Sequence, residues 1–283
     1  MADVICVGAP RAGTTWLFEN LRHHAGVFVP DYKELNFFRA RFPNDGSLGD
    51  GDDAYARFFQ GADGRLRLDV SPDLLSSPHA ARYIGRVAPS ARILVMLRDP
   101  VDRAVSHYNY LRNRRGISYT PHELLETRVG FRILEDGLYG HHLTSFLREF
   151  ARDRIHVELT ANVRNEPERL LERVQSFMGL NVHVEPPKAR RHVNAPSPVR
   201  SGFVRRLQRK ASQALHERGH DALRQKLTRT GLPDALRRLN TSGTAFRWVP
   251  SSEERASLRT FYREDTSLLE ELLERRLPWS TRS

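Results

Sequence analysis

The stretch Val4-Ile5-Cys6-Val7-Gly8-Ala9-Pro10-Arg11-Ala12-Gly13-Thr14-Thr15-Trp16-Leu17 decides the reading of this chain. Val4 to Val7 is a short, mostly β-branched apolar run, the composition of a buried strand. Two glycines then bound a turn, and Trp16, Leu17, Glu19, Asn20 and Leu21 suit a helix. Strand, glycine loop and helix therefore follow within twenty residues. Working outward, apolar runs recur at Leu66 to Val70, Arg92 to Leu97 and Arg154 to Leu159, each separated from the next by helix-like sequence. That alternation predicts an α/β fold, a central parallel sheet flanked by helices.

After Leu97 the sequence Asp99-Pro100-Val101-Asp102 supplies a cap, a first-turn proline and an acid, so a helix is expected from there to about Arg115, with Gly116 as its stop. Four prolines between Pro186 and Pro198 predict a loop. Phe203, Leu207, Ala211 and Leu215 recur every four residues beside Arg205, Arg206, Arg209 and Lys210, an amphipathic basic helix. Ser251-Ser252-Glu253-Glu254 reads as a capping signal for one or two docked helices reaching Pro278, with Leu258, Phe261, Leu268, Leu269, Leu272 and Leu273 as the apolar stripe. The expectation is one domain over residues 1–283, with a variable basic helical segment at about 196–247 before the C-terminal helix.

The 283 residues carry 45 Lys and Arg against 34 Asp and Glu, a formal charge of +11. Between Pro186 and Leu239 stand 14 bases and 3 acids, so that segment alone accounts for the +11 and the rest of the chain is neutral. A nucleic-acid-binding protein would explain such a segment, but no helix-turn-helix, zinc or aromatic-stacking motif accompanies it, and that reading ranks low. The single Cys6 lies in an apolar run, as a buried structural thiol would, and suits a reducing compartment. With no secretory pattern and no apolar run near the roughly 18 to 20 residues of a membrane span, a cytoplasmic protein is expected. His23, His24, His141 and His142 form adjacent pairs without a third ligand at metal spacing, so no metal is assigned.

Gly8 to Thr15 has the spacing of a P-loop NTPase-like phosphate loop, except that Thr14 stands where such a loop has lysine. Backbone N–H groups and the N-terminus of the next helix still favour an anion. The cation for the terminal phosphates of ATP is missing, and Arg11 stands inside the loop instead. Arg98, at the carboxyl end of an apolar strand, is where open α/β sheets bind ligands, and Ser106 lies two turns into the following helix. Both suit a phosphate; the alternative for Arg98 is a surface ion pair with Asp99 or Asp102.

The loop from Gly8 to Leu17 resembles the 5′-phosphosulfate loop of sulfotransferases that use 3′-phosphoadenosine 5′-phosphosulfate (PAPS). Leu97-Arg98-Asp99-Pro100-Val101-Asp102-Arg103-Ala104-Val105-Ser106-His107-Tyr108 resembles the family's 3′-phosphate element. The resemblance implies that Arg11, Ala12, Gly13, Thr14, Thr15 and Trp16 hold the 5′-phosphosulfate and that Arg98 and Ser106 hold the 3′-phosphate. It also covers Phe177-Met178-Gly179-Leu180 and the closing Phe261-Tyr262 to Trp279, and is weakest from about Pro196 to Arg247.

Lys33-Glu34-Leu35-Asn36-Phe37-Phe38 resembles the Lys-Glu-x-x-Phe-Phe element of heparan sulfate and related carbohydrate sulfotransferases, which implies Glu34 as catalytic base. The alternative for Glu34 is a solvated acid paired with Lys33. Arg11, where most members have lysine, is expected to stabilise charge without giving up its proton. Asp69-Val70-Ser71-Pro72 resembles the carbohydrate branch's acid-Lys-Ser/Thr-Pro run with Val70 in the lysine position, which loosens the glycan inference. Lys188-Ala189-Arg190-Arg191-His192-Val193-Asn194 loosely resembles the family's late basic loop over the nucleotide, with Arg190 and Arg191 as its candidates; a solvated charge run is the alternative.

The implied activity is sulfuryl transfer from PAPS to a hydroxyl or amine of a saccharide, lipid or secondary metabolite, leaving adenosine 3′,5′-bisphosphate. The rest of the basic segment is then a lid or a docking face for an anionic acceptor, carrier or membrane surface, against the alternative of an ordinary solvated helix. A nucleotide kinase or NTPase on the same fold is the competing enzyme reading, disfavoured by Thr14.

Overall fold

The protein, seen in a computed structural model, is described over residues 1–30, 33–40, 51–115, 117, 120, 122–123, 126–181 and 246–280. Among the described residues five strands form one sheet: β1 (Val4–Gly8), β2 (Val27–Phe28), β3 (Leu66–Val70), β4 (Arg92–Leu97) and β5 (Ile155–Leu159), in the order β2-β3-β1-β4-β5. Every pairing is parallel, Ile5 standing opposite both Asp69 and Ile93, and Leu94 opposite His156. A parallel sheet is covered on both faces, and accordingly all five residues of β1 and the last five of β4 are buried. Four of the five strands coincide with the apolar runs of the sequence; β2, at two residues, is too short to leave a periodic signal.

The α-helices among the described residues are α1 (Thr14–Leu21), α2 (Phe37–Ala40), α3 (Gly51–Ala56), α4 (Ala80–Val87), α5 (Pro100–Arg115), α6 (Arg128–Glu135), α7 (Tyr139–Glu149), α8 (Asn162–Asn165), α9 (Pro167–Met178) and α10 (Ser252–Leu273). Asp99 caps α5, its Oδ1 accepting from the N–H of Val101 at 2.9 Å and of Asp102 at 3.3 Å. The helix ends at Arg115; Gly116 lies outside the described residues. At α10 the capping box forms as read, with Ser251 and Glu254 exchanging bonds. The stripe of α10 needs correction, because Leu258, Tyr262, Leu269 and Leu273 are buried, whereas Phe261 is 43% and Leu268 37% exposed. Each of the latter two sits one residue, about 100° of helix rotation, from the buried line, so spacing selects Tyr262 over Phe261. Where α10 meets α7, a Cβ on Gly140 would lie 2.7 Å from the Asp265 carbonyl oxygen, so only glycine permits this crossing. The Asp265 carboxylate in turn accepts from the N–H groups of Gly140 and His141 at the start of α7.

An aromatic cluster carries the Phe37-Phe38 pair. The Phe38 ring lies 4.5 Å from that of Tyr55 and 5.2 Å from that of Tyr83, with Phe37 edge-on to Phe38 at 5.4 Å. These side chains are core, and they anchor the chain immediately after Glu34.

Beneath β5, the buried Glu158 carboxylate accepts from Arg173 Nε at 2.7 Å, from His156 at 3.0 Å and from Asn162 at 3.2 Å. Burial pushes its pKa up, but hydrogen bonds and charge from His156 and Arg173 overcome this and hold it at about 2. A depressed carboxylate stabilises the fold above its ordinary value of 4.5 and ceases to do so as pH falls toward about 2. Glu158→Gln should therefore cost about 2 kcal/mol near neutral pH, less than a fully buried pair because Arg173 stays partly solvated. The variant should also show a shallower loss of melting temperature than the wild type between those two pH values. Thermal melts across the acid range check this.

The basic segment with its Phe203 to Leu215 stripe, and Arg190 and Arg191 before it, lie outside the described residues. The chain from Phe246 is anchored on α5: Asn113 and Asn109 each donate to and accept from the backbone of Phe246 and Trp248, respectively, at 2.8 to 3.1 Å.

Candidate active site

Because β1 lies between β3 and β4, the chain leaves three adjacent strands at one edge of the sheet. β1 delivers Arg11 and the glycine loop, β3 delivers Pro72 and Asp73, and β4 delivers Arg98. Such an edge is where ligands bind in open α/β folds. A cleft of about 980 Å³ opens there, lined by Arg11, Gly13, Thr14, Thr15, Trp16, Glu34, Arg98 and Ser106, together with residues from α5 and α6. A larger hollow of about 1240 Å³ lies at the opposite edge, against Asp3, Arg67 and Arg92; Arg67 is consumed by Asp3 at 2.6 Å and Arg92 by the Met178 carbonyl.

The loop is shaped by its backbone. Ala9 N–H donates to the Met96 carbonyl and Ala12 N–H to the Ala9 carbonyl, folding the turn back on β4. Gly13, at φ 92, occupies the left-handed region that favours glycine and turns the chain into α1. The first turn of α1, whose N–H groups have no i−4 acceptors, then opens at the cleft with Thr14 and Thr15. Ala12 is brought elsewhere: it is buried, its N–H is used within the turn, and its carbonyl lies 2.6 Å from Thr160 Oγ1. Thr160 also contacts the Leu97 carbonyl at 2.9 Å, tying the ends of β4 and β5 to the loop.

Arg11 sits at φ 68, donates from Nε to Ser106 Oγ at 3.3 Å, and lays its guanidinium 4.7 Å from the Tyr110 ring centre. The glycine loop and α5, 95 residues apart in the chain at this contact, thus touch. Burial pushes the pKa of Arg11 down, with Arg98 adding to the effect and Tyr110 and Glu34 opposing it. Burial likewise lowers that of Arg98, with Arg164 in support and Asp102 and Asp99 opposed. Arginine stays protonated through such shifts, so the cleft holds two converging, partly buried cations.

Neither acid beside Arg98 pairs with it. Asp102 binds Arg255 of α10 at 2.7 Å, and Asp99 caps α5 and faces Arg259 at 3.7 Å. Among the described residues the Arg98 guanidinium has no hydrogen-bonded or ion-paired partner, which removes the surface-pair alternative. Glu34 is half exposed at the cleft, accepting from Lys33 Nζ at 2.7 Å, so the pairing with Lys33 and the cleft position hold together.

Sequence reasoning missed Tyr110, Thr160, Arg164 and one face of α6 (Arg128, Val129, Arg132, Ile133). Tyr110 was within reach, four residues after Ser106 on the same helix, and Thr160 follows a recognised strand end. Nothing in the sequence around α6 distinguishes it from any other amphipathic helix.

A family described as the sulfotransferase domain matches residues 1–194. The bifunctional heparan sulfate N-deacetylase/N-sulfotransferase 1 of Xenopus laevis is 26% identical over 192 residues, 62% of this chain and 22% of that protein. Heparan sulfate glucosamine 3-O-sulfotransferase 5 of Homo sapiens is 25% identical over 191 residues, 64% of this chain and 54% of that protein. The chain thus matches between a fifth and about half of the length of these relatives. In fold it is similar to a sulfotransferase from Alicyclobacillus acidocaldarius, with a TM-score of 0.69, 22% identity, and coverage of 100% of this chain and 99% of that one.

Proposed function

The chain belongs to the sulfotransferase family, and from that membership we propose that it transfers the sulfuryl group of PAPS to a hydroxyl or amine of an acceptor. The observation that carries the proposal is the convergence, in one cleft, of Arg11, the threonines of the glycine loop, the unpaired Arg98 and Glu34. Two partly buried guanidiniums without a carboxylate partner among the described residues are costly in a folded protein and fit an anionic ligand with two phosphate positions. The cleft is also large enough for a nucleotide and a small acceptor side by side.

PAPS supplies the activated sulfuryl group and leaves as adenosine 3′,5′-bisphosphate. Glu34 takes the proton of the acceptor O–H or N–H as its lone pair forms the new bond to sulfur, and the sulfur–oxygen bond to the 5′-phosphate breaks in line. The carboxyl of Glu34 ends protonated, and the charge released on the 5′-phosphate is met by Arg11 and the first turn of α1. Arg11 acts through its charge alone, since a guanidinium does not give up its proton. Arg98 and Ser106 bind the 3′-phosphate, and Arg190 and Arg191 are proposed to close over the nucleotide.

The acceptor lies against the cleft-facing side of α6 and is a saccharide, lipid or secondary metabolite. The relatives named for heparan sulfate favour a saccharide, while Val70 departs from their lysine. The remainder of the basic segment is a docking face for an anionic acceptor, carrier or membrane surface. A reducing, cytoplasmic setting suits the lone buried Cys6, whose thiol burial pushes up to about 12.

Calorimetry of the purified protein with adenosine 3′,5′-bisphosphate tests the proposal, alongside a screen of acceptor classes with labelled PAPS. Binding in the micromolar range is expected; no binding at high micromolar nucleotide overturns the proposal, and magnesium-dependent ATP hydrolysis would replace it with the kinase or NTPase reading.

A further inference from the structure

Beneath the cleft lies a carboxylate to which the proposed reaction gives no part. Asp69, the fourth residue of β3, is wholly buried opposite Ile5 of the central strand. Its Oδ2 accepts from Tyr55 of α3 at 3.0 Å and its Oδ1 from Ser71 at 2.7 Å. The Lys33 ammonium attracts it, and its charge is felt by the Tyr55 hydroxyl and by the Cys6 thiol of β1. A buried carboxylate is expensive, and an apolar residue would serve the core better. What its contacts achieve is local order in the segment that carries Glu34.

Because Ser71 gives its proton to Asp69, its oxygen is left to accept, and it accepts the N–H of Asn36 at 3.0 Å. The N–H of Glu34 donates to the Val70 carbonyl at 3.0 Å. Both Glu34 and Asn36 stand in the left-handed region, at φ 70 and 49, a conformation that non-glycine residues hold only when their surroundings impose it. Lys33, 14% exposed, bonds Glu34 Oε1 at 2.7 Å while being drawn to Asp69. One buried acid thus governs both the backbone on which Glu34 stands and the cation that holds its carboxylate.

We infer that Asp69 is a positioning residue that fixes the Glu34 carboxylate at the cleft, acting on its backbone through Ser71 and Asn36 and on its side chain through Lys33. The inference rests on Glu34 being the base. Burial pushes the pKa of Asp69 up to about 6, against Ser71, Tyr55 and Lys33, so the charge of this layer changes in a mildly acidic window.

The test follows the Glu34 carboxyl carbon by NMR in the full chain labelled at glutamate carboxyls, the resonance assigned by its loss in Glu34→Gln. Wild type should show an inflection near pH 6 that Asp69→Asn abolishes. In both Asp69→Asn and Ser71→Ala the Asn36 amide should exchange with solvent about tenfold faster or more. An inflection that persists in Asp69→Asn, or Asn36 exchange unchanged in Ser71→Ala, overturns the inference. Should Asp69→Asn fail to fold, Ser71→Ala decides through the amide. Calorimetry with adenosine 3′,5′-bisphosphate runs in parallel and should return wild-type affinity for both variants. An equal loss of that affinity and of Asn36 protection would mark a merely structural role and overturn the inference. Failure of the wild type itself to bind the nucleotide would bring down the sulfotransferase proposal, while the coupling of Asp69 to Glu34 is still decided by the spectra.

Discussion

Glu34→Gln should lower the turnover of PAPS by about 100-fold or more, the lower end of what a positioned general base contributes, while affinity for adenosine 3′,5′-bisphosphate stays within about twofold. The amide is nearly isosteric with the carboxylate, can still accept from Lys33, and leaves the backbone bond from residue 34 to the Val70 carbonyl in place. Only the ability to take a proton is removed. An interaction required in the transition state and not in the ground state shows as a fall in kcat with little change in nucleotide binding. Measuring kcat against labelled PAPS, with calorimetry on the same preparation, separates the two. Wild-type turnover would move the base elsewhere, and Asp73 and His107, which also line the cleft, are the side chains to test next.

Arg98→Ala should weaken nucleotide binding by about 10- to 100-fold, the range expected when a charge-assisted hydrogen bond worth about 1.5 to 3 kcal/mol is lost. The neighbouring acids are engaged by Arg255 and Arg259, so the guanidinium gives the ligand-free fold no ion pair to lose. Its burial instead works against its charge, with Arg164 adding to the effect. Removing it should accordingly leave the melting temperature of the free protein unchanged or slightly raised, the opposite of what a structural ion pair predicts. Calorimetry and thermal melts report both effects. Undiminished nucleotide affinity would show that the 3′-phosphate is held by other groups.

Most of the sheet was legible because its central strands are buried on both faces and read as continuous apolar runs, as in Arg92 to Leu97. The α5 start was legible from Asp99 and Pro100, and the α10 start from its capping box, since both are local chemistry. The choice between Phe261 and Tyr262 in α10 was not, because it depends on which side of the helix meets α7 and α5. The same limit hid α6: Arg128 and Arg132 acquire a reading only from the cleft they face.

By itself the sequence determined the strand–glycine loop–helix opening, the absent loop lysine at Thr14, and the concentration of +11 in one segment of an otherwise neutral chain. These are properties of neighbouring residues, and backbone propensity, capping and charge act over a few positions. Only the tertiary structure decided that β1 lies between β3 and β4, and hence that Arg11, Glu34 and Arg98 share one cleft while Asp69 stands beneath it. Strand order joins segments tens of residues apart through packing and ladder hydrogen bonds that no local stretch encodes.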